Sequence, residues 1–352
     1  MIKSRNIIAT PPGATIHEQL ETRGMRQNEF AKRMGMSEKH ISKLINGEVH
    51  LTPDAALRLE MVLDVPAEFW NKLEANYQDK AVRAITENEM DDDIELTKNY
   101  PYSAMAKYGW VPETQVATEK VFCLRRFFEV AKLEIVGTLP IPGIAYRRSG
   151  VSQTSDYALA AWAQQAKIEA RKIDTALINL RQLEDSLEEI RKMTTQDIAV
   201  FCPNLTRLLA SCGVAVVFLP HIGGSFLHGA SFCDGDHIVM GLTVRGKDAD
   251  NFWFSLFHEL CHILRGHINS KQESTENQER DADAFARDTL IPTEMFEMFV
   301  ECNKNVSISE ESIVSFANRC HIDNGIVVGR LQKENLIPYN RFNNLKTKYQ
   351  IS

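Results

Sequence analysis

Residues 252–264 read Phe-Trp-Phe-Ser-Leu-Phe-His-Glu-Leu-Cys-His-Ile-Leu, an apolar run that contains His258, Glu259 and His262. The apolar side chains recur at helical spacing, and Gly266 follows where a left-handed helix cap is expected. Side chains four residues apart lie on one face of an α-helix, so both imidazoles can reach one zinc ion while Glu259 lies beside the open coordination position. The motif therefore predicts a zinc-dependent hydrolase with Glu259 as its general base.

A catalytic zinc site needs a third protein ligand. A histidine ligand in the pattern H-E-x-x-H-x-x-G-x-x-H would require glycine at position 265, where the chain has Arg265. Further along, a second amphipathic segment carries Glu279 and Asp283 one helical turn apart. We expect Glu279 to be the third ligand and Asp283 to accept a hydrogen bond from a ligand histidine. Asp281 and His267 are weaker candidates for the third ligand.

These stretches resemble the ImmA/IrrE-type metallopeptidases. The resemblance is carried by the H-E-x-x-H helix and by three further segments, Glu279-x-x-Ala-Asp-x-Phe-Ala286, Leu290-Ile-Pro292 and Gly213-Val-Ala-Val-Val-Phe-Leu-Pro220. It implies a gluzincin-like zinc endopeptidase that cuts repressors of the helix-turn-helix class. The usual family motif is E-x-E-A-N/D, whereas the second acid here is Asp281, so the sequence leaves open whether Glu279 or Asp281 completes the site.

The N-terminal segment shows a different pattern. Residues 27–34 and 38–45 are two short amphipathic stretches, separated by Gly35 and a capping Ser37, and Asn46-Gly47 ends the second stretch. Two short helices joined by a tight turn predict a helix-turn-helix. Thr52-Pro53 opens a further helix, because threonine caps a helix well and proline suits its first position.

The charge distribution supports contact between this segment and DNA. Between residues 23 and 43 there are six basic side chains and two acidic ones, although the whole chain has a net charge of -7. Any contact with nucleic acid must therefore be local. In a helix-turn-helix, the start and the exposed face of the second helix read the groove. We expect the DNA contacts to come from Gln27, Ser37, Lys39, His40 and Lys43.

This half of the chain resembles the XRE-type regulators, in particular the HigA antitoxins. The matching residues lie within about residues 12–78 and include Gln27-x-x-x-Ala31, Ser37-x-x-x-Ile-Ser42, Ile45-Asn-Gly47 and Glu68-Phe-Trp70. We expect this segment to bind a palindromic operator in double-stranded DNA, and we expect the protein to be a homodimer. A toxin is one of the protein partners to be considered, beside a substrate or a repressor.

Composition limits the remaining possibilities. A chain of 352 residues predicts two or three domains, and 44% hydrophobic with 25% charged residues is typical of a globular protein. We find no signal peptide and no apolar run long enough to span a membrane. The seven cysteines are odd in number and form no C-x-x-C pair, which indicates reduced thiols. We therefore expect a cytoplasmic protein.

We expect an α+β fold that is mostly α and has three parts. Residues 1–80 are predicted to form an all-α helix-turn-helix domain, residues 81–195 a helical linker region, and residues 196–352 the gluzincin-like zinc domain. The last part should contain a small β-sheet, with a hairpin at Asp234-Gly235. In the linker region we expect long helices at residues 120–135, 155–171 and 180–193.

Three functions remain open from the sequence. In the first, a DNA-binding regulator carries an active zinc endopeptidase that cuts a repressor-type protein. In the second, the chain is a HigA-like antitoxin or repressor, and the zincin domain senses a metal, a ligand or a partner without catalysis. In the third, the peptidase cuts its own chain. The intact His258, Glu259 and His262 favour the first and third functions over the second.

Overall fold

The structure is a computed structural model that describes residues 2–4, 6–137, 153–223, 228–243, 247–269, 275–304 and 308–349. The fold is α+β and mostly helical, as the sequence predicts. The chain forms two compact units, Met1–Glu95 with Val116–Val121, and Leu96–Gln115 with Phe122–Ser352. None of the described helices combines the length and the apolar content that crossing a membrane requires.

The N-terminal unit consists of a short antiparallel hairpin followed by helices. The hairpin pairs β1 (Ile2–Lys3) with β2 (Ile8–Ala9). The helices are α1 (Pro12–Thr22), α2 (Gln27–Met34), α3 (Glu38–Asn46), α4 (Pro53–Leu63) and α5 (Ala67–Asn88), and α6 (Asp91–Thr97) follows them.

Local signals in the sequence end α2 and α3 where they were expected to end. Gly35 and Gly47 both adopt left-handed backbone angles, with φ of 65° and 72°, that a side chain would disfavour. Ser37 caps α3 by accepting a hydrogen bond from the backbone N–H of His40. The sequence suggests a flexible lead through Gly13 and a first helix from about Ile16 to Arg23, whereas α1 begins at Pro12, since proline fits the first position of a helix.

The C-terminal unit contains most of the helices and one mixed sheet. After α7 (Tyr102–Lys107) comes α8 (Ala117–Phe128), whose residues up to Val121 belong to the N-terminal unit. It is followed by a 3-10 turn (Leu133–Gly137), α9 (Gln153–Ala170), α10 (Leu180–Asp185), α11 (Leu187–Lys192), a 3-10 turn (Met193–Thr195) and α12 (Ile198–Ser211). Beyond the sheet come α13 (Ala249–Leu264), a 3-10 turn (His267–Asn269), α14 (Glu276–Leu290), α15 (Thr293–Cys302), α16 (Glu310–Cys320), α17 (Asn324–Lys333) and a 3-10 turn (Asn343–Leu345).

Three strands form the sheet that supports α13. They are β3 (Val214–Leu219), β4 (Gly229–Asp234) and β5 (His237–Thr243), in the order β3-β5-β4. β5 runs parallel to β3 and antiparallel to β4, and Asp234 lies opposite His237 at the expected hairpin. Alternate residues point to opposite faces, so Val216 joins the core that contains α13, while Val217 joins the core that contains α9.

The C-terminal segment closes against the start of α13. β7 (Lys348–Tyr349) pairs antiparallel with β6 (Lys247–Asp248), immediately before that helix. The Tyr349 hydroxyl accepts a hydrogen bond from Trp253 Nε1 at 2.9 Å, and Lys346 Nζ donates to Asp250 at 2.8 Å. These contacts hold the first turn of α13 in place.

Two helices expected in the linker region are shorter than the periodicity predicts. The helix expected at residues 120–135 ends at Phe128, because Glu129 takes a left-handed φ of 57°. The helix expected at residues 180–193 divides at Ser186, whose hydroxyl donates to the backbone carbonyl of Gln182 at 2.7 Å. Such bonds from serine to the preceding turn compete with regular helix geometry.

Candidate metal centre and nucleic-acid interface

Helix α13 buries the H-E-x-x-H motif. His258, Glu259 and His262 are 8%, 4% and 6% exposed, although all three side chains are polar. Buried polar groups of this kind need partners, because desolvation without compensation costs free energy. The surrounding residues of α13 supply the apolar core that faces the sheet, so the motif is held on a rigid element.

Helix α14 brings a carboxylate to the two histidines. Glu279 lies in the first turn of α14, which a reciprocal capping box between Thr275 and Gln278 fixes. The Glu279 carboxylate oxygens lie 3.3 Å from His258 Nε2 and 3.4 Å from His262 Nε2. The two Nε2 atoms are 3.0 Å apart. Among the described residues, these three form the one group of His, Cys, Asp or Glu side chains that converges in this way.

The spacing of these donor atoms fits a tetrahedral metal ion. Zinc bonds of about 2.0–2.1 Å in tetrahedral geometry place ligand atoms about 3.3 Å apart. The three observed separations, 3.0, 3.3 and 3.4 Å, lie close to that value. If both Nε2 atoms are unprotonated, their lone pairs point at each other, and a proton or a metal cation between them suits their chemistry. His258, His262 and Glu279 are therefore the residues that can hold a metal, and we call these three side chains the metal group.

Asp283 contacts His258 at Nδ1, on the side of the ring opposite the metal group. Its Oδ1 lies 2.9 Å from His258 Nδ1, the ring nitrogen that faces away from the metal group. This hydrogen bond lowers the pKa of Asp283 and fixes the orientation of the ring. The structure thus gives Asp283 the position that the sequence suggested for it.

The two histidines have different protonation tendencies. Burial, the largest influence on His258, favours its neutral form, but hydrogen bonds to Asp283 and Glu279 and the charge of Glu259 raise its pKa to about 9. At His262 burial dominates and lowers the pKa. The cluster therefore favours one positive charge beside its carboxylates, and either a proton or a metal cation can supply that charge.

The two weaker candidates for the third ligand lie elsewhere. The Asp281 Oδ2 atom is 3.7 Å from Arg265 Nε and 4.0 Å from the Cys261 Sγ atom, outside the metal group. The His267 Nδ1 atom lies 3.1 Å from Nδ1 of His262, on the side of that ring away from the metal group. The structure therefore brings Glu279, and neither Asp281 nor His267, to the two Nε2 atoms.

Gly229 is a site residue that the sequence interpretation missed. A Cβ atom at this position would lie 2.9 Å from Leu242 Cδ2 and 3.1 Å from Glu259 Cγ. The first residue of β4 therefore leaves the space that the Glu259 side chain occupies. The signal in the sequence is a glycine next to the apolar run 230–233, because glycine at a strand often marks the close approach of another group.

The expected DNA-contacting residues all lie on the surface of the N-terminal unit. Gln27 begins α2, and the other four, Ser37, Lys39, His40 and Lys43, belong to the cap and the exposed face of α3. The opposite face of α3 is buried through Ile41 and Leu44. α3 therefore presents two lysines, a histidine and its capped N-terminus on a single exposed face.

Comparison with known proteins finds one match in the N-terminal part of the chain and one in the C-terminal part. Residues 16–70 match the family model for the helix-turn-helix, and residues 226–314 match the model for the IrrE N-terminal-like domain, a family of M78 peptidases. Two uncharacterized HTH-type transcriptional regulators of Escherichia coli strain K12 are similar. YbaQ is 35% identical over 66 residues, which are 19% of this chain and 58% of YbaQ. YddM is 32% identical over 63 residues, which are 18% of this chain and 67% of YddM.

Among solved structures, an addiction module antidote protein of the HigA family from Coxiella burnetii is 27% identical. That comparison covers 25% of this chain and 91% of the other chain, with a TM-score of 0.21. The match to YbaQ spans little more than half of that protein. The chain belongs to the XRE-type helix-turn-helix transcriptional regulators through its N-terminal part and carries an IrrE N-terminal-like domain in its C-terminal part.

Proposed function

We propose that this protein is a cytoplasmic DNA-binding transcriptional regulator whose C-terminal domain is a zinc-dependent endopeptidase. The observation that carries the peptidase proposal is the convergence of His258, His262 and Glu279, with the buried Glu259 beside the first ligand. The match to the IrrE N-terminal-like family supports it.

The proposed reaction is hydrolysis of a peptide bond. A zinc ion held by His258, His262 and Glu279 would lower the pKa of a water molecule and polarise a carbonyl group. Glu259 would take the proton from that water as it attacks the carbonyl carbon, and would then deliver the proton to the leaving amine. Asp283 would keep the His258 ring in the orientation that presents Nε2.

We propose that the substrate is a polypeptide segment bound in an extended conformation. β4 is an edge of the described sheet, it pairs with β5 on one side, and its first residue lies against Glu259. A peptide that adds to this edge would form backbone hydrogen bonds whatever its sequence, and its scissile bond would pass close to the general base. The substrate proposed here is a repressor-type regulatory protein or the chain itself.

The N-terminal unit would bind a palindromic operator as a homodimer. α3 presents Ser37, Lys39, His40 and Lys43 at one surface, with Gln27 at the start of α2. Two such helices related by twofold symmetry would enter successive major grooves. A toxin is the alternative protein partner, and it would bind without being cut.

Substitution of Glu259 by glutamine tests the catalytic proposal. Because Glu259 is not among the converging donor atoms, Glu259→Gln should retain zinc, fold and operator binding. Cleavage of a co-expressed helix-turn-helix repressor, or of the chain itself, should fall by roughly 10²- to 10⁴-fold. Asp281→Asn is the matched control, since it removes a carboxylate near the site but outside the metal group.

The same variant separates the proposal from its main alternative. If cells respond identically to wild type and Glu259→Gln, and chelation leaves operator release unchanged, the peptidase proposal is wrong. The domain would then act as a sensor or as part of an antitoxin.

A further inference from the structure

The two ligand histidines are supported by different groups. His258 Nδ1 meets the Asp283 carboxylate at 2.9 Å, whereas His262 Nδ1 meets another imidazole nitrogen, His267 Nδ1, at 3.1 Å. The His262 and His267 rings are inclined by 67°, with their centroids 5.2 Å apart. The His262 ring is therefore in contact at both nitrogens, at Nε2 with the metal group and at Nδ1 with His267.

The backbone that follows α13 places His267 next to Nδ1 of His262. α13 ends at Leu264, and Gly266 takes a left-handed φ of 70° that turns the chain back. Ile268, which is 3% exposed, anchors the following 3-10 turn in the core. This turn fixes the His267 backbone, so a residue only five positions after His262 can reach the Nδ1 side of its ring.

Metal binding determines the direction of this hydrogen bond. When Nε2 of His262 offers its lone pair to a metal ion, the ring proton must lie on Nδ1. That proton then points at Nδ1 of His267, which must accept it and carry its own proton on Nε2. The contact therefore has one permitted arrangement of protons in the metal-bound state.

We infer that His267 is a positioning residue for the metal centre, which fixes the tautomer and the orientation of His262 through its Nδ1 atom. This inference rests on the proposed metal site. His267 replaces the carboxylate or backbone carbonyl that usually holds a metal-ligating histidine. Because it is a neutral acceptor, it supports the ligand without adding another negative charge to a cluster that already contains Glu259, Glu279 and Asp283.

Two isosteric substitutions test the role of the acceptor atom. Asparagine at position 267 carries its amide oxygen at about the place of the imidazole Nδ1, while glutamine carries its amide oxygen further out, near the place of Nε2. We expect His267→Ala and His267→Gln to weaken zinc binding by about 10- to 100-fold in chelator competition with the full chain. His267→Asn should stay close to wild type. His237→Ala, at an exposed histidine on β5, is the matched control.

The proton positions give a second readout. In the zinc-loaded protein, a long-range ¹H–¹⁵N spectrum should show the Nδ1–H tautomer for His262 and the Nε2–H tautomer for His267. Circular dichroism and thermal unfolding of the metal-free variants verify that they fold.

Several results would overturn the inference. Wild-type zinc affinity in folded His267→Ala would show that the contact has no role, and an Nδ1–H tautomer at His267 would show that it is not the acceptor. Complete loss of zinc from folded His267→Ala, as in His262→Ala, would make His267 a ligand. If the wild-type protein itself binds no zinc, the metal-site proposal and this inference both fail, whereas zinc binding that is unaffected by His267 removes the inference alone.

Discussion

At the scale of single residues, the metal centre depends on which acidic side chain of α14 faces α13. Glu279 and Asp281 are two positions apart on a helix, so their directions differ by about 200°. Glu279 contacts both ligand histidines, and Asp281 instead approaches Arg265. The resemblance to known metallopeptidases left both residues open, and the packing of α14 against α13 distinguishes them.

Zinc content should follow this geometry. His258→Ala and His262→Ala should each abolish zinc binding, and Glu279→Ala should weaken it severely, because each removes one of three protein ligands. Asp281→Ala should bind zinc like wild type. Metal analysis and chelator competition on the purified chain measure these differences. Undiminished zinc in Glu279→Ala together with loss in Asp281→Ala would reverse the ligand assignment.

Gly229 gives a second prediction at this scale. An alanine there would place a methyl group 2.9 Å from Leu242 Cδ2 and 3.1 Å from Glu259 Cγ, so the Glu259 side chain must give way by a few tenths of an ångström. Misplacement of a catalytic group by about 1 Å can cost about 10²-fold in rate, so this smaller shift should cost less. We expect Gly229→Ala to cleave more slowly than wild type while it retains zinc. Gly223→Ala is the control, since nothing lies within 4 Å of the added Cβ, and equal cleavage by both variants would contradict the prediction.

At the scale of elements, the proposed DNA contacts depend on how α3 is held. α1 crosses α3 so closely that a Cβ at Gly13 would lie 2.1 Å from the Ile45 carbonyl oxygen. Arg58 Nη1 also donates to the Met34 carbonyl at the end of α2, at 3.0 Å. These contacts fix the buried side of the helix-turn-helix, and the lysines remain on the exposed side.

Operator binding should respond to those lysines in a salt-dependent way. Each phosphate contact releases condensed counterions, so Lys39→Ala and Lys43→Ala should weaken binding and reduce the slope of log affinity against log salt by about 1. Fluorescence anisotropy with a selected operator at several salt concentrations measures the slope. Lys72→Ala on α5, where the lysine pairs with Glu68, is the control. If neither α3 variant changes affinity, α3 is not the recognition helix.

At the scale of the whole molecule, acid stability should depend on carboxylates that the fold holds ionised. Asp234 connects the β4–β5 turn to Arg171, just beyond α9, with Oδ2 to Nε at 2.8 Å, and Lys167 lies 3.6 Å from its Oδ1. Burial acts in the opposite direction, but these cations lower the pKa of Asp234 below its ordinary value of 3.8. A carboxylate with a lowered folded pKa stabilises the fold above its unfolded pKa, and this stabilisation is lost as pH falls through the folded value.

We therefore expect the free energy of unfolding to fall as pH drops below about 4, partly because Asp234 becomes protonated. Asp234→Asn should be less stable than wild type at pH 7, and the difference should shrink toward pH 3. Urea unfolding at a series of pH values measures this. Asp236→Asn, at an exposed acid in the same turn, serves as the control. A pH-independent difference between Asp234→Asn and wild type would contradict the linkage.

The sequence by itself determined the features that arise from residues close together in the chain. The caps at Ser37 and Thr52, the left-handed turns at Gly35 and Gly47, and the hairpin at Asp234-Gly235 all follow from short-range backbone geometry. The placement of His258 and His262 on one helical face is equally local, since it needs only the 3.6-residue period. The division at residues 80 and 195 stays a prediction.

Only the tertiary structure decided which distant groups meet. The packing of α14 brought Glu279, and not Asp281, next to His258 and His262, the left-handed turn at Gly266 placed His267 beside Nδ1 of His262, and β4 brought Gly229 to Glu259. The physical reason is that periodicity specifies which face of an element is apolar, whereas the partner of each polar side chain depends on how the apolar faces pack together.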